Sequence, residues 1–232
     1  MIKFKYFALN IFLLTFFLFV NATAADRLRK IFDPEMIGSN LAYFENISGP
    51  ARKTFTGRHS VTYSYYEVDG CKIIAQISRG TVRVIELDKL SPKCTFDLNI
   101  FLPNAGKGSL PALHSMTFGK FDALTRQGHY SANCLSLCGN AYDPSVYEYF
   151  QASHADQFIE VRLGVVLVGD YAVNAAISWA VEMTKGESET WVVDRKFACT
   201  RKYNAVAQKL FRKVKVTSIA VGYGLSVNDC EP

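Results

Sequence analysis

The sequence predicts an α+β fold in which helices pack on a mostly antiparallel sheet that contains a three-stranded meander, with disulfides stabilising the whole. Three strand-like runs follow one another in the first half, separated by two-residue turns that end in glycine. In the second half, amphipathic helical patterns lie between single strands. The chain also has an even number of cysteines, namely six. No repeat or linker divides it, so we expect a single exported domain over residues 25–232.

The N-terminus has the pattern of a secretory signal peptide. Lys3 and Lys5 precede an apolar run over residues 7–20, and Ala22-Thr23-Ala24 follows with the small-x-small pattern of a cleavage site. This predicts a signal peptide over residues 1–24 and a periplasmic or secreted protein. An uncleaved anchor is the alternative, but the run is short for a span of about 20 residues. No later apolar run is long enough to cross a bilayer, so we expect no stable membrane span after cleavage.

The charge balance argues against a nucleic-acid partner. The chain has a net charge of +5, and loss of Lys3 and Lys5 with the signal peptide, which contains no acidic residue, leaves +3. These charges are evenly mixed along the sequence, whereas nucleic-acid binders concentrate them on one face. The partner expected for an exported protein of this kind is another exported protein.

The six cysteines predict a disulfide framework. An even cysteine number in an exported protein favours disulfides, and three bridges allow 15 connectivities. Local spacing favours sequential pairing, which joins Cys71 to Cys94, Cys134 to Cys138, and Cys199 to Cys230. Each bridge would contribute about 2–4 kcal/mol to the free energy of unfolding.

The pair Cys134 and Cys138 leaves several interpretations open. A structural disulfide is favoured. A redox pair is next, although C-x3-C differs from the C-x-x-C of thioredoxin-like enzymes. A zinc site would need two further ligands that no close Cys or His pair supplies, so we expect no metal. A Cys-His nucleophile with His129 or His154 is the last alternative.

The first half of the chain predicts a helix and then the meander. Asp33-Pro34 is a good helix start, and the apolar spacing after it predicts a helix over Pro34–Glu45. The three strands are predicted over Val61–Val68, Cys71–Ser78 and Thr81–Asp88. Asp69-Gly70 is a strong signal for the first hairpin turn.

If both turns of the meander have two residues, counting along the strands assigns each side chain to one face of the sheet. The same count places Cys71 opposite Asp88. The face with the more continuous apolar set is the predicted core face, and it comprises Tyr66, Val68, Cys71, Ile73, Ala75, Ile77, Val82 and Val84. The opposite face comprises Tyr63, Tyr65, Lys72, Ile74, Gln76, Arg83, Ile85 and Leu87. Tyr63, Tyr65 and Arg83 are residue types enriched at interfaces, so they are the predicted binding residues. The alternative is that they pack under another element.

The second half predicts alternating helices and strands. Asp143-Pro144 predicts a short helix to about Ala152, and Phe158–Val168 is the strongest single strand. Asp170 begins a helix whose predicted core stripe is Val173, Ala176, Ile177, Ala180 and Val181. The remaining predictions are a short strand at Trp191–Val193, a helix over Arg201–Val214 and a final strand over Lys215–Tyr223.

Two functions from different classes fit this sequence. The chain has neither a G-x-S-x-G elbow nor a phosphate-binding loop, and no motif implies a cofactor. The first hypothesis is an exported, disulfide-stabilised binding or inhibitor-type protein that acts on another envelope or secreted protein. The alternative is an exported enzyme, either a hydrolase that uses His154, Asp156 and Glu160 or a thiol-redox protein that uses Cys134 and Cys138.

Overall fold

The computed structural model describes residues 26–57, 60–104, 110–125, 128–136, 138 and 144–225, so the predicted signal peptide lies outside the described residues. The fold is α+β, as predicted. Its strands are β1 Lys53–Thr56, β2 Val61–Val68, β3 Cys71–Ser78, β4 Thr81–Asp88, β5 His129–Ala132, β6 Ser145–Gln151, β7 Glu160–Val166 and β8 Ser218–Gly222. Its helices are α1 (26–31), α2 Leu41–Ser48, α3 Phe118–Thr125, α4 Asp170–Thr184, α5 Glu189–Val193 and α6 Asn204–Phe211.

The eight strands form one antiparallel sheet with the order β1-β2-β3-β4-β8-β7-β6-β5. One face of the sheet joins the main hydrophobic core together with apolar side chains from the helices. The other face contributes only a small buried cluster, Val84, Ala220 and Leu225. The molecule therefore has two layers, and the helices cover one face of the sheet. We call the opposite side the outer face.

The meander is confirmed residue for residue in its bounds, but its predicted register is wrong beyond Arg83. Ile77 pairs with Val82 and Gln76 pairs with Val84, so Arg83 is the extra residue of a β-bulge. The bulge reverses the sides of the residues that follow it. Ile85 and Leu87 point into the core, Val84 lies on the outer face, and Lys72, not Cys71, faces Asp88.

The predicted first helix is broken in two. Asp33 caps a 3₁₀ turn at Pro34–Met36, and Asn40 caps α2 through a hydrogen bond from the Tyr43 amide. Gly38 lies between them with a φ of +94°. Because this conformation cannot belong to a right-handed helix, the chain turns there and restarts as α2.

Two predictions in the second half are wrong. The segment predicted as a helix after Pro144 is β6, and the segment predicted as a strand at Trp191–Val193 belongs to α5, which Ser188 caps. In β6, tertiary pairing with β5 and β7 outweighs the local helix-start signal of Pro144. The predicted strand over Phe158–Val168 is confirmed as β7, the predicted helices at Asp170 and Arg201 as α4 and α6, and the final strand as β8.

The buried stripe of α4 is rotated from the predicted one. The side chains that it buries are Ala172, Ala175, Ala176, Trp179 and Met183. Ile177 and Val181, which were predicted to lie in the core, are more than half exposed. Trp179 decides this orientation, since burying the largest side chain of the helix removes the most apolar area from water.

Trp179 is the centre of an aromatic cluster that joins the second half of the protein. Its ring lies 5.1 Å from Phe197, 5.9 Å from Phe211 and 6.4 Å from Tyr130. Its indole N–H donates a hydrogen bond to the carbonyl oxygen of Tyr203 at 3.3 Å. The cluster thus connects α4 to α6, to β5 and to the turn at Lys196–Cys199.

Two of the predicted disulfides are confirmed. Cys71 is bonded to Cys94 and closes the end of the meander, and Cys134 is bonded to Cys138 in the segment after β5. Cys199 is also disulfide-bonded. Cys230, its predicted partner, lies outside the described residues, so this third pairing stays a prediction.

Candidate functional site

The outer face of the sheet carries a continuous row of residues that are direct neighbours across seven strands. Pairwise register places them in the order Lys53, Tyr65, Ile74, Glu86, Ala220, Arg162 and Tyr149. The row runs from the edge strand β1 to β6. It has aromatic or cationic residues towards its two ends and the small side chain of Ala220 at its centre.

The β1 end of this row is an exposed aromatic cluster, which we call the aromatic edge and define as Lys53, Phe55, Tyr63 and Tyr65. Phe55 is 58% exposed and Tyr65 is 38% exposed. The Phe55 and Tyr63 rings lie 6.5 Å apart, and the Lys53 ammonium lies 6.0 Å from the Tyr65 ring centroid. Large aromatic side chains that keep this much area in water are suited to binding another surface.

The centre of the outer face is held by an ion pair that spans three strands. The Arg162 guanidinium on β7 donates to Glu86 on β4 at 2.9 Å. Ala220 on β8 lies between them in the register, and its methyl side chain leaves room for Arg162 to pass over. The Arg162 guanidinium also lies 5.0 Å from the Tyr147 ring centroid. Since both charged groups are partly buried, this contact fixes the centre of the face.

The end of β8 folds back over one part of the outer face. Leu225 packs against Val84 and Ala220, and its amide donates to the Glu160 carboxylate. Burial raises the pKa of Tyr149 above its usual value, and the negative charge of Glu160 and a hydrogen bond to it raise that pKa further. This part of the face is closed, whereas the aromatic edge is open.

The structure brings together two of the three predicted binding residues. Tyr63 and Tyr65 both point to the outer face from β2. Arg83, the bulge residue, is exposed but lies elsewhere, with its guanidinium 5.7 Å from the Tyr223 ring centroid. Phe55 and Lys53 were missed, because β1 has only four residues and no clear alternation to mark it as a strand.

His154, Asp156 and Glu160, the residues of the hydrolase alternative, make separate contacts. Exposed His154 packs edge-on against Phe158 at 5.4 Å, and buried Asp156 accepts hydrogen bonds from the amide and side chain of Asn104. Glu160 holds the Leu225 amide. Within the described ranges, no hydrogen bond or ion pair joins these three side chains to one another.

Cys134 and Cys138, the residues of the thiol-redox alternative, form a disulfide with each other. In the part of the chain that the structure describes, no cysteine is free and no group of three His, Cys, Asp or Glu side chains is arranged to hold a metal ion. No helix among these residues is long and apolar enough to cross a membrane.

A buried pair of acidic residues lies on the core side of the sheet, and the sequence analysis did not find it. Glu148 on β6 is fully buried and Asp122 on α3 is 7% exposed. The Tyr130 hydroxyl donates to Asp122 at 2.9 Å and lies 3.4 Å from Glu148. The other two oxygens, Asp122 Oδ1 and Glu148 Oε1, are buried without a donor from the described residues. A Cβ atom at Gly128 would collide with the Glu148 carboxyl group, so glycine provides the space for it.

The surroundings of Glu148 favour its neutral form. Burial is the largest cause, followed by the charge of Asp122 and a hydrogen bond with it, and together they raise the pKa of Glu148 well above its ordinary value. We therefore expect Glu148 to hold a proton in the folded protein at pH values where an exposed glutamate has lost it. The signal in the sequence was the alternation of Val146, Glu148 and Phe150, which places an acid in a core position of a strand.

Comparison with known proteins does not identify a family for this chain. No protein-family model matches it, and no curated protein matches it. Among solved structures, it is similar to an extracellular protein containing an SCP domain from Bacillus anthracis str. Ames, with 7% sequence identity and a TM-score of 0.34. The match covers 81% of this chain and 44% of that one, so the chain spans less than half the length of that protein.

Proposed function

We propose that this protein is an exported, disulfide-stabilised binding protein that captures another envelope or secreted protein on its outer face. The formed disulfides are typical of proteins that leave the reducing cytosol, and they are compatible with secretion. In this proposal residues 1–24 are a cleaved signal peptide, and residues 25–232 act as one domain in the periplasm or outside the cell.

The observation that carries the proposal is the aromatic edge. Phe55, Tyr63 and Tyr65 stand side by side at an uncovered end of the sheet, with Lys53 beside them. Tyrosine and phenylalanine supply large contact areas with few rotatable bonds, and interfaces are enriched in them. The adjoining Arg162–Glu86 pair holds the centre of the face, so the partner would meet a surface that is already ordered.

Replacing Phe55 and Tyr65 together with serine should abolish partner capture. Each side chain is expected to contribute about 1–2 kcal/mol to binding, so the double variant should weaken the complex by about 30-fold or more. The measurement is an affinity capture in which the purified protein is immobilised and offered the envelope and secreted fractions of its source. The captured proteins are quantified by mass spectrometry.

Tyr43→Ser is the matched control, because Tyr43 is 52% exposed but lies on α2 at the other side of the sheet. A true partner is lost with Phe55→Ser/Tyr65→Ser and retained with Tyr43→Ser. Retention of the same proteins by both variants would exclude the aromatic edge as the binding surface. Arg83→Gln is tested separately, since Arg83 lies apart from the two tyrosines.

A further inference from the structure

A second exposed apolar surface lies where β7 leads into α4. Val168 is 70% exposed and Tyr171 is 81% exposed. Further along α4, Ile177 is 55% exposed and Val181 is 51% exposed. The aromatic edge lies on β1 and β2, and β3, β4 and β8 separate it from β7 in the strand order.

Next to these side chains is an open, apolar groove. Its lining includes the buried side chains of Val165, Ala172 and Val214 and the exposed side chains of Val168 and Tyr171. Lys213 and Lys215 line it as well, and both are exposed. Arg212, also exposed, precedes them in the chain. Among the described residues, Asp170 is the one acid that lines the groove, and it lies in the first turn of α4, where the helix dipole is positive.

We infer that this surface docks onto an anionic lipid bilayer. Val168 and Tyr171 enter the interfacial region, where tyrosine is the favoured residue because its ring is apolar and its hydroxyl remains hydrated. Lys213, Lys215 and Arg212 then contact the lipid phosphates. An apolar group beside a cluster of basic residues is the combination that holds peripheral proteins at a charged membrane surface.

The charges favour a membrane over a second copy of the chain. A two-fold contact across the groove would place Lys213 and Lys215 in an interface that contains the same two lysines from the second copy, and these like charges repel. A bilayer that contains anionic lipid meets the same lysines with opposite charge. The groove is also wide open, which suits a broad lipid surface.

Vesicle co-sedimentation tests this inference on the mature protein. Vesicles of phosphatidylcholine mixed with phosphatidylserine should bind the protein, and vesicles of phosphatidylcholine alone should bind it at least about tenfold more weakly. Raising the salt concentration should release it, because salt screens the lysines. Lys213→Gln/Lys215→Gln should weaken binding by about tenfold or more, and Val168→Ser/Tyr171→Ser should weaken it at every salt concentration.

Lys53→Gln and Phe55→Ser are the matched controls, since they remove the same kinds of group from the aromatic edge, and they should leave vesicle binding unchanged. Circular dichroism checks that each variant folds. No binding to anionic vesicles, or equal binding to both vesicle types, would overturn the inference. Sedimentation velocity without lipid gives a further test, because a dimer that Val168→Ser/Tyr171→Ser dissociates would mean that a second copy covers this surface.

Discussion

Replacing Glu148 with glutamine should stabilise the protein at neutral and alkaline pH and remove the contribution of this group to the pH dependence of stability. Glutamine keeps the shape of the side chain, cannot ionise, and can donate a hydrogen bond to Asp122. In the wild type the folded protein binds the Glu148 proton more tightly than the unfolded chain does. The stability that this proton contributes is therefore fully present below pH 4.5, the ordinary pKa, and declines as the pH rises from there towards the raised pKa of the folded state.

Urea denaturation at a series of pH values measures this effect. Over that range the wild type should lose up to about 1.4 kcal/mol of unfolding free energy per pH unit from this group, and the Glu148→Gln variant should not. Glu182→Gln is the control, because Glu182 is a surface residue paired with Lys185 and its loss should change stability by no more than about 0.5 kcal/mol. Equal slopes for the wild type and Glu148→Gln would contradict a raised pKa of Glu148 in the folded protein.

Replacing Trp179 with alanine should lower the free energy of unfolding by about 3–5 kcal/mol. The side chain is 1% exposed, and its removal leaves a cavity between Tyr130, Phe197 and Phe211, whose rings come from three different elements. These rings cannot all move inward, since each is also held by its own neighbours. A typical protein has an unfolding free energy of about 5–15 kcal/mol, so this loss would be a large fraction of the total.

Thermal and urea unfolding test the Trp179 prediction. Both are carried out under non-reducing conditions, so that the disulfides stay formed. Trp179→Phe should lower the free energy of unfolding by less, because it keeps a ring in the cluster. The loss that remains includes the indole N–H, which donates to the carbonyl oxygen of Tyr203. Tyr171→Ala on the exposed side of the same helix should change stability by less than about 0.5 kcal/mol. A loss for Trp179→Ala below about 1 kcal/mol would mean that the cluster refills the space.

The parts of the fold that the sequence predicted correctly are those in which local signals agree. The bounds of the meander follow from its strand-like runs and Asp-Gly turn, and the start of α4 follows from Gly169-Asp170. Where signals conflict, the prediction was wrong. In β6 the start at Pro144 suggested a helix, and Glu148 hid the apolar alternation because a buried acid reads as a surface residue.

The candidate site was predicted only in part, for a similar reason. Tyr63 and Tyr65 share a face within one strand, so counting along the chain was enough to find them. Arg83 was assigned to the same face because no local signal marks a bulge in Thr81-Val82-Arg83-Val84. The Asp122–Glu148 pair joins α3 to β6, and the spacing of residues along a sequence says nothing about such a contact until the strand order is known.

The extra residue at Arg83 has a consequence for how this sheet tolerates change. On both sides of the bulge β4 pairs with β3, and the residues after the bulge also pair with β8, where Ile85 pairs with Val221 and Leu87 with Ile219. Removing that one residue would shift one of the two parts of β4 by one position and turn its side chains to the opposite face of the sheet. Removing or inserting two residues keeps odd and even positions on their own sides. We therefore expect β4 to tolerate insertions or deletions of two residues better than those of one residue.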